Sequence, residues 1–103
     1  KAQKKRSKKG NIKLSLNFQI AETETFSRSI TRPEYKKIYE KIKNYVYPQL
    51  KLSPYFGNNI KRLKGEWKDT YRYRIGDYRL FYTIDAGKLL VLILDIKRRN
   101  DAY

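Results

Sequence analysis

Histidine, cysteine and methionine are all absent from the 103 residues of this chain. Without cysteine there is neither a disulfide framework nor a thiolate metal site, and without histidine a zinc site and a histidine acid-base pair are excluded as well. Long apolar runs are also missing, because the longest, Leu89 to Leu94, falls far short of the roughly 20 residues that cross a bilayer. No signal-peptide pattern opens the chain. We therefore expect one soluble domain in a reducing cytoplasm, with no contact to a membrane.

Basic residues dominate the charge of the chain. Its 25 lysines and arginines exceed its 10 acidic residues, which gives a net charge of +15. Such an imbalance opposes compaction and suits a polyanionic partner, so we expect a nucleic acid or an acidic protein to bind. Residues 1–10 are predicted to be a flexible basic arm that either binds phosphate or is a solvated tail. Residues 11–103 are the predicted folded domain.

The first half of that domain has the pattern of a strand followed by two helices. Alternating apolar residues predict a strand from Ile12 to Phe18, and a short helix follows within Ala21–Ile30. A capping box, Thr31-Arg32-Pro33-Glu34, predicts the start of a second helix. Pro48 and the Ser53-Pro54…Gly57-Asn58 segment are expected to mark a break and a loop after it. The apolar stripe that should face a sheet consists of Tyr35, Ile38, Tyr39, Ile42, Tyr45 and Val46.

Three strands are predicted in the second half, at Tyr71–Ile75, Tyr78–Ile84 and Leu89–Ile96. Gly76-Asp77 has the pattern of a two-residue type II′ turn, and Asp85-Ala86-Gly87-Lys88 is expected to close the next hairpin. The order β-α-α-β-β-β predicts an α+β domain, in which an antiparallel sheet carries two N-terminal helices on one face.

Pairing the first hairpin around Gly76-Asp77 gathers arginines on one face of the sheet. Arg72, Arg74 and Arg79 share that face with Phe81, whereas tyrosine, isoleucine and leucine occupy the other. Like charges across a hairpin are destabilising, so this arrangement favours a bound phosphodiester, with Phe81 as a stacking surface for a base. Alternatively, the arginines are only a solvated face, paired with Asp69 or with acidic residues of the early helix.

The segments Ile60–Trp67 and Tyr71–Tyr82, together with the run Ile93–Tyr103, resemble the signature of the RelE/ParE toxin superfamily. The resemblance covers residues 60–103 closely and implies a RelE-like fold and a toxin of a type II toxin-antitoxin system. For the RelE branch it implies an endoribonuclease, independent of metals and cofactors, that cuts messenger RNA, usually in the ribosomal A site. There the RNA 2′-hydroxyl attacks the adjacent phosphate and leaves a cyclic phosphate and a free 5′-hydroxyl.

The resemblance also assigns candidate roles by position. The catalytic candidates are Arg72, Arg74, Arg79, Lys97 and Tyr103, with Arg79 stabilising transition-state charge and Tyr103 stacking on a base or assisting proton transfer. The candidates for RNA binding are Lys61, Arg62, Lys64, Lys68, Phe81, Arg98 and Arg99. Many relatives carry a histidine at the place of Arg98, so proton transfer here would fall to Lys97, Tyr103, Asp101, the RNA or solvent.

Two other functions fit the same sequence. A ParE-like toxin would poison DNA gyrase without cutting RNA, and a non-catalytic RNA-binding module would suit a site without histidine. Either toxin predicts a cognate antitoxin, whose acidic or amphipathic segment would cover the basic face or displace Tyr103.

Overall fold

The computed structural model of the protein describes residues 17–99. Its elements are, in chain order, β1 (Gln19–Glu22), α1 (Glu24–Ile30), a 3₁₀ turn (Pro33–Tyr35), α2 (Lys36–Lys41), a π-helical turn (Ile42–Val46), α3 (Tyr47–Leu52), β2 (Ile60–Arg62), a second 3₁₀ turn (Gly65–Trp67), β3 (Thr70–Ile75), β4 (Tyr78–Asp85) and β5 (Leu90–Arg98). The predicted basic arm, residues 1–10, lies outside the described residues. In the described part of the chain, no helix combines the length and the apolar character needed to cross a bilayer.

The five strands form one sheet in the order β1-β5-β4-β3-β2. Strands β2 to β5 pair antiparallel, and β1 joins the edge of β5 in parallel. The α+β class is therefore confirmed, with a sheet that is mixed at one edge. Most of the predicted strand of residues 12–18 lies outside the described residues. Phe18, which is described, precedes β1, and its backbone N–H donates to the carbonyl of Lys51 (2.9 Å). The short strand β2 was not predicted.

The β3–β4 hairpin has the predicted register. Arg74 lies opposite Arg79, and Arg72 lies opposite Phe81. Gly76 has φ +57°, the left-handed value that the first central residue of a type II′ turn requires. The next turn comprises Ala86–Leu89, one residue later than predicted, because Asp85 still pairs with Leu90.

The capping box predicted at Thr31–Glu34 is wrong. The hydroxyl of Thr31 donates back to the carbonyl of Arg28 (2.8 Å) and so closes the end of α1. The preceding helix has a true cap, since the side chain of Thr23 accepts the N–H of Phe26 (3.1 Å). The side chain of a serine or threonine between two helices can cap the start of the second helix or bond to the last turn of the first. Thr31 bonds to the last turn of the first helix.

The helical segment continues through Pro48, so the predicted break is also wrong. A proline nitrogen cannot donate to the carbonyl four residues earlier, and its ring crowds the preceding turn. The π-helical turn widens the helix at this point, with the N–H of Tyr47 donating to Ile42. The helix therefore ends only at Leu52. The same turn shifts the apolar stripe, so Tyr45, predicted to face the sheet, is 70% exposed.

The core lies between these helices and one face of the sheet. The helices contribute the buried residues Phe26, Ile30, Tyr35, Ile42, Val46, Tyr47 and Leu50, and the sheet contributes Tyr73, Ile75, Leu80, Tyr82, Val91, Ile93 and Ile96. The hydroxyl of Tyr82 donates to the carbonyl of Pro54 (2.8 Å), so this buried phenol has its hydrogen bond. The opposite face of the sheet carries the polar side chains of β3, β4 and β5.

Candidate nucleic-acid interface

Seven side chains on the sheet face opposite the helices form two adjacent rows across the strands. One row consists of Arg74, Arg79 and Lys97, and the other of Lys61, Arg72, Phe81 and Asp95. Directly opposite residues share a sheet face, with Cβ atoms about 5 Å apart. We call these seven residues the basic face. It combines five cations with a single carboxylate.

A β-bulge in β5 brings Lys97 beside Arg79. Tyr82 lies opposite Ile93, but Phe81 lies opposite Asp95, so Leu94 has no partner in the register. An extra residue in one strand reverses the alternation beyond it. Without it, Ile96 would lie opposite Arg79.

The bulge is attached to the start of α1 through Thr23. The Thr23 hydroxyl donates to the carbonyl of Leu94 (2.9 Å), and its N–H donates to the carbonyl of Ile93 (3.0 Å). The same hydroxyl accepts the helix N–H described above, so one side chain links the cap of α1 to the irregular point of β5.

Arg79 is the least exposed cation of the basic face. Only 5% of the residue is exposed, and its Nη1 donates to the carbonyls of Gly76 and Tyr78 at 3.0 Å each. Among residues 17–99, Arg79 forms no ion pair, and its buried Nε has no hydrogen-bond partner. A nearby anion would stabilise a buried charge whose only partners are carbonyl dipoles, because water screens electrostatic interactions weakly in a buried site.

The carboxylates proposed to neutralise the arginines have other partners. Asp69 pairs with Arg62 at 2.9 Å, while Glu24 and Glu34 each lie 3.5 Å from arginines of their own helical region. Glu22 accepts the hydroxyls of Tyr39 and Tyr47, both at 2.8 Å, on the helix side of the sheet. The described contacts therefore pair these carboxylates with groups outside the basic face.

Asp95 is the one acidic member of the basic face, and sequence reasoning did not single it out. Its carboxylate lies 3.8 Å from Nζ of Lys97 and accepts the N–H of Ile96 (2.8 Å). In the sequence Asp95 follows an apolar run, and regular alternation from Ile93 would place it on the helix side. Only the bulge puts it on the basic face, so the sequence pattern held no clear signal for it.

The structure gathers six of the predicted site residues and separates others. Arg72, Arg74, Arg79, Lys97, Lys61 and Phe81 lie together on the basic face. Arg62 and Arg98 lie opposite Tyr71 and Tyr78, on the other face of the sheet.

The remaining candidates lie at the margins of the sheet or beyond the described residues. Lys64 and Lys68 are exposed on the loop between β2 and β3. Arg99 follows β5, and its N–H contacts the carbonyl of Asp77 at 2.6 Å, beside the β3–β4 turn. Tyr103 and Asp101 fall outside residues 17–99.

The groups with shifted pKa values lie on the helix side. Burial, together with the hydrogen bond to Glu22, raises the pKa of Tyr39 to about 12. The same two causes raise the pKa of Tyr47, and burial raises that of Tyr82. None of these phenols belongs to the basic face. The described part of the site therefore offers mainly positive charge, with Asp95 as the one carboxylate of the basic face.

The fold and the basic face define a small α+β protein whose sheet has a surface suited to a polyanion. Residues 29–103 match the family described as "ParE toxin of type II toxin-antitoxin system, parDE". The Methanocaldococcus jannaschii protein named "Putative toxin RelE1" is 34% identical over 70 residues, 68% of this chain and 70% of that protein.

Two solved structures are similar over most of the chain. The toxin-antitoxin complex RelBE2 of Mycobacterium tuberculosis matches 81% of this chain and 92% of that one, with a TM-score of 0.69 and 27% identity. The archaeal RelE-RelB complex of Pyrococcus horikoshii matches 81% of this chain and 96% of its own, with a TM-score of 0.60 and 22% identity. This chain therefore belongs to the RelE/ParE superfamily of type II toxin-antitoxin toxins.

Proposed function

We propose that this toxin is a RelE-type endoribonuclease that cuts messenger RNA on the ribosome. The observation that carries the proposal is the buried Arg79 between Arg74 and Lys97, a row of positive charge on a face whose one carboxylate is Asp95. A row of fixed cations suits a reaction in which negative charge develops on a phosphate. The similarity to RelE toxins supports the same reaction.

In this reaction the 2′-oxygen of one nucleotide attacks the adjacent phosphorus. The new P–O2′ bond forms and the P–O5′ bond breaks, which leaves a 2′,3′-cyclic phosphate and a 5′-hydroxyl. The 2′-hydroxyl loses a proton and the departing 5′-oxygen gains one. Arg79 stabilises the phosphorane charge, Arg72 and Arg74 bind phosphate oxygens, and Phe81 stacks on a base.

The proton carriers in this proposal are few. An arginine does not give up its proton at physiological pH, so Arg72 and Arg74 act only through their charge. Lys97 beside Asp95 and the terminal Tyr103 are the candidates for proton transfer, together with the RNA and solvent. Lys61, Lys64, Lys68, Arg62, Arg98 and Arg99 extend the proposed contact with RNA phosphates. No metal or cofactor enters the proposed reaction.

The proposal includes a cognate antitoxin and a cytoplasmic location. The similar M. tuberculosis protein was solved in a toxin-antitoxin complex, and the P. horikoshii protein in a RelE-RelB complex. An acidic or amphipathic segment would bind the basic face of this toxin through its charge and would exclude RNA.

The second candidate is a ParE-like toxin that inhibits DNA gyrase without cutting RNA. The observation in its favour is the family match, because the matching family is that of ParE toxins. A basic sheet face is compatible with both candidates, so the substrate decides between them.

Primer extension on one messenger RNA, translated or untranslated in a cell-free extract, tests the proposal. New cuts confined to the translated message are expected with the intact toxin and not with Arg79→Ala. Arg28→Ala, which changes an exposed arginine of α1, is the matched control and should cut normally. An intact message together with inhibited supercoiling by gyrase would instead establish the ParE-like activity.

A further inference from the structure

Trp67 is the single tryptophan of the chain, and neither the core nor the basic face uses it. It lies in the 3₁₀ turn between β2 and β3, and 62% of it is exposed. Within the described range, its ring contacts no other aromatic ring and its indole N–H makes no hydrogen bond. An indole is the largest apolar side chain, so its exposure beside a charged surface suggests a ligand.

The loop that carries Trp67 has a defined conformation. The N–H of Leu63 donates to the carbonyl of Thr70 (2.8 Å) and closes the loop at its base. The Arg62–Asp69 ion pair, at 2.9 Å, joins its two arms. Gly65 and Asp69 have φ values of +72° and +71°, the left-handed conformation that glycine adopts freely and aspartate tolerates. The turn therefore holds Trp67 outward without support from the core.

Lysines flank this indole in the sequence, together with the acidic Glu66 and with Asp69, which is paired with Arg62. Lys64 and Lys68 are exposed on either side of it in the loop, and Lys61 connects the loop to the basic face through its pairing with Arg72. An exposed aromatic ring among lysines is the arrangement by which proteins bind single-stranded nucleic acids, since the ring stacks on a base while the cations contact phosphates. Positive charge would attract RNA and an acidic peptide alike, but the exposed ring favours RNA, whose bases can stack on it.

We infer that Trp67 stacks on an unpaired base of the RNA strand, outside the nucleotides that lie on the basic face. The inference rests on the proposed function and extends the RNA site by one element, the loop from Leu63 to Asp69. Trp67 is then a binding residue that helps position the strand, and its loss weakens RNA binding more than it alters the chemical step.

Because Trp67 is the only tryptophan, its fluorescence reports on this contact directly. The full-length toxin is titrated with a single-stranded oligoribonucleotide whose sugars are 2′-O-methylated, which removes the attacking hydroxyl and prevents cleavage. Stacking of a base should quench the indole emission saturably. Inorganic polyphosphate, which has charge but no bases, should bind without quenching. Unchanged emission at saturating oligonucleotide would overturn the inference.

Variants give an independent test through affinity. Trp67→Ala should weaken binding of the same oligonucleotide about 5- to 150-fold, the usual effect of removing one stacked base. Trp67→Phe should retain most of the affinity. Tyr45→Ala removes an equally exposed aromatic from the helical side and should change nothing. Equal affinities of Trp67→Ala and the parent would contradict the inference.

The outcome is separable from that of the proposed function. Cleavage of unmodified, translated message is measured in parallel with the same preparations. If the indole emission is quenched but no message is cut, the stacking contact of Trp67 is supported and the endoribonuclease activity is rejected. Cleavage without quenching would retain the endoribonuclease and reject the contact of Trp67.

Discussion

Arg79 and Arg74 lie side by side on the sheet but differ in their surroundings. Arg79 is buried and hydrogen-bonded to two carbonyls of the hairpin turn, whereas Arg74 is exposed. A buried cation of this kind both shapes the turn and concentrates charge at the surface above it. Arg79 should therefore contribute to stability and activity together, and Arg74 mainly to activity.

We predict that Arg79→Ala lowers cleavage about 100-fold or more and lowers the free energy of unfolding by about 1.5–3 kcal/mol. Arg74→Ala should lower cleavage with a stability change of about 0.5 kcal/mol or less. Primer extension and urea denaturation measure the two effects. Equal stability losses in the two variants would show that the turn carbonyls do not depend on Arg79.

The pair of phenols on Glu22 predicts how stability depends on pH. Because the folded state raises the pKa of Tyr39 to about 12, and that of Tyr47 as well, the contribution of these phenols is complete below their ordinary pKa of about 10. It is lost as the pH rises from about 10 through 12. The urea midpoint of the parent protein should fall over this pH window. The midpoint of Tyr47→Phe should fall less steeply, because this variant has lost one of the two phenols. Tyr45→Phe, which removes an exposed hydroxyl, should follow the parent curve.

At the scale of elements, Thr23 joins the start of α1 to the bulge of β5. Its hydroxyl donates to Leu94 and accepts from the N–H of Phe26, so two elements lose a contact when it is removed. We predict that Thr23→Val lowers the free energy of unfolding by about 1–2 kcal/mol. Thr25→Val, an exposed position of the same helix, should change it by less than about 0.5 kcal/mol. Equal urea midpoints for the two variants would contradict this role.

The predictable elements were those with strong local signals. Gly76-Asp77 determined the turn, and the turn determined which residues of β3 and β4 face one another. The face that carries Arg72, Arg74, Arg79 and Phe81 was therefore predictable. Periodicity could not reveal the bulge at Leu94, because an unpaired residue has no local pattern. The π-helical turn before Pro48 could not be predicted either, because a proline in a helical pattern indicates a break and does not show whether the helix ends or widens around the ring.

The whole molecule carries a net charge of +15, so salt should act on folding and on binding in opposite directions. Screening reduces the repulsion among the cations of the folded chain, and it also reduces the attraction to RNA. We predict that the melting temperature rises between about 0.05 M and 0.5 M salt, while RNA affinity falls.

The salt dependence of affinity also distinguishes the two kinds of contact. The slope of the logarithm of the RNA association constant against the logarithm of the salt concentration should be about −0.7 per phosphate contact. Lys61→Ala should make this slope shallower, whereas Trp67→Ala should weaken binding at every salt concentration and leave the slope nearly unchanged. Parallel loss of slope in both variants would mean that the loop contributes charge alone.

Leu94 is the unpaired residue of β5, and its presence decides which side chains after it lie on the basic face. The basic face therefore depends on the number of residues in β5 as well as on their chemistry. A substitution at Leu94 leaves Asp95 and Lys97 where they are, because the residues beyond it keep their places. A deletion there would exchange the surroundings of Ile96 and Lys97, with the lysine turned into the apolar layer and the isoleucine placed beside Arg79. Natural variation in this toxin should therefore change the identity of residue 94 far more readily than the length of the segment that contains it.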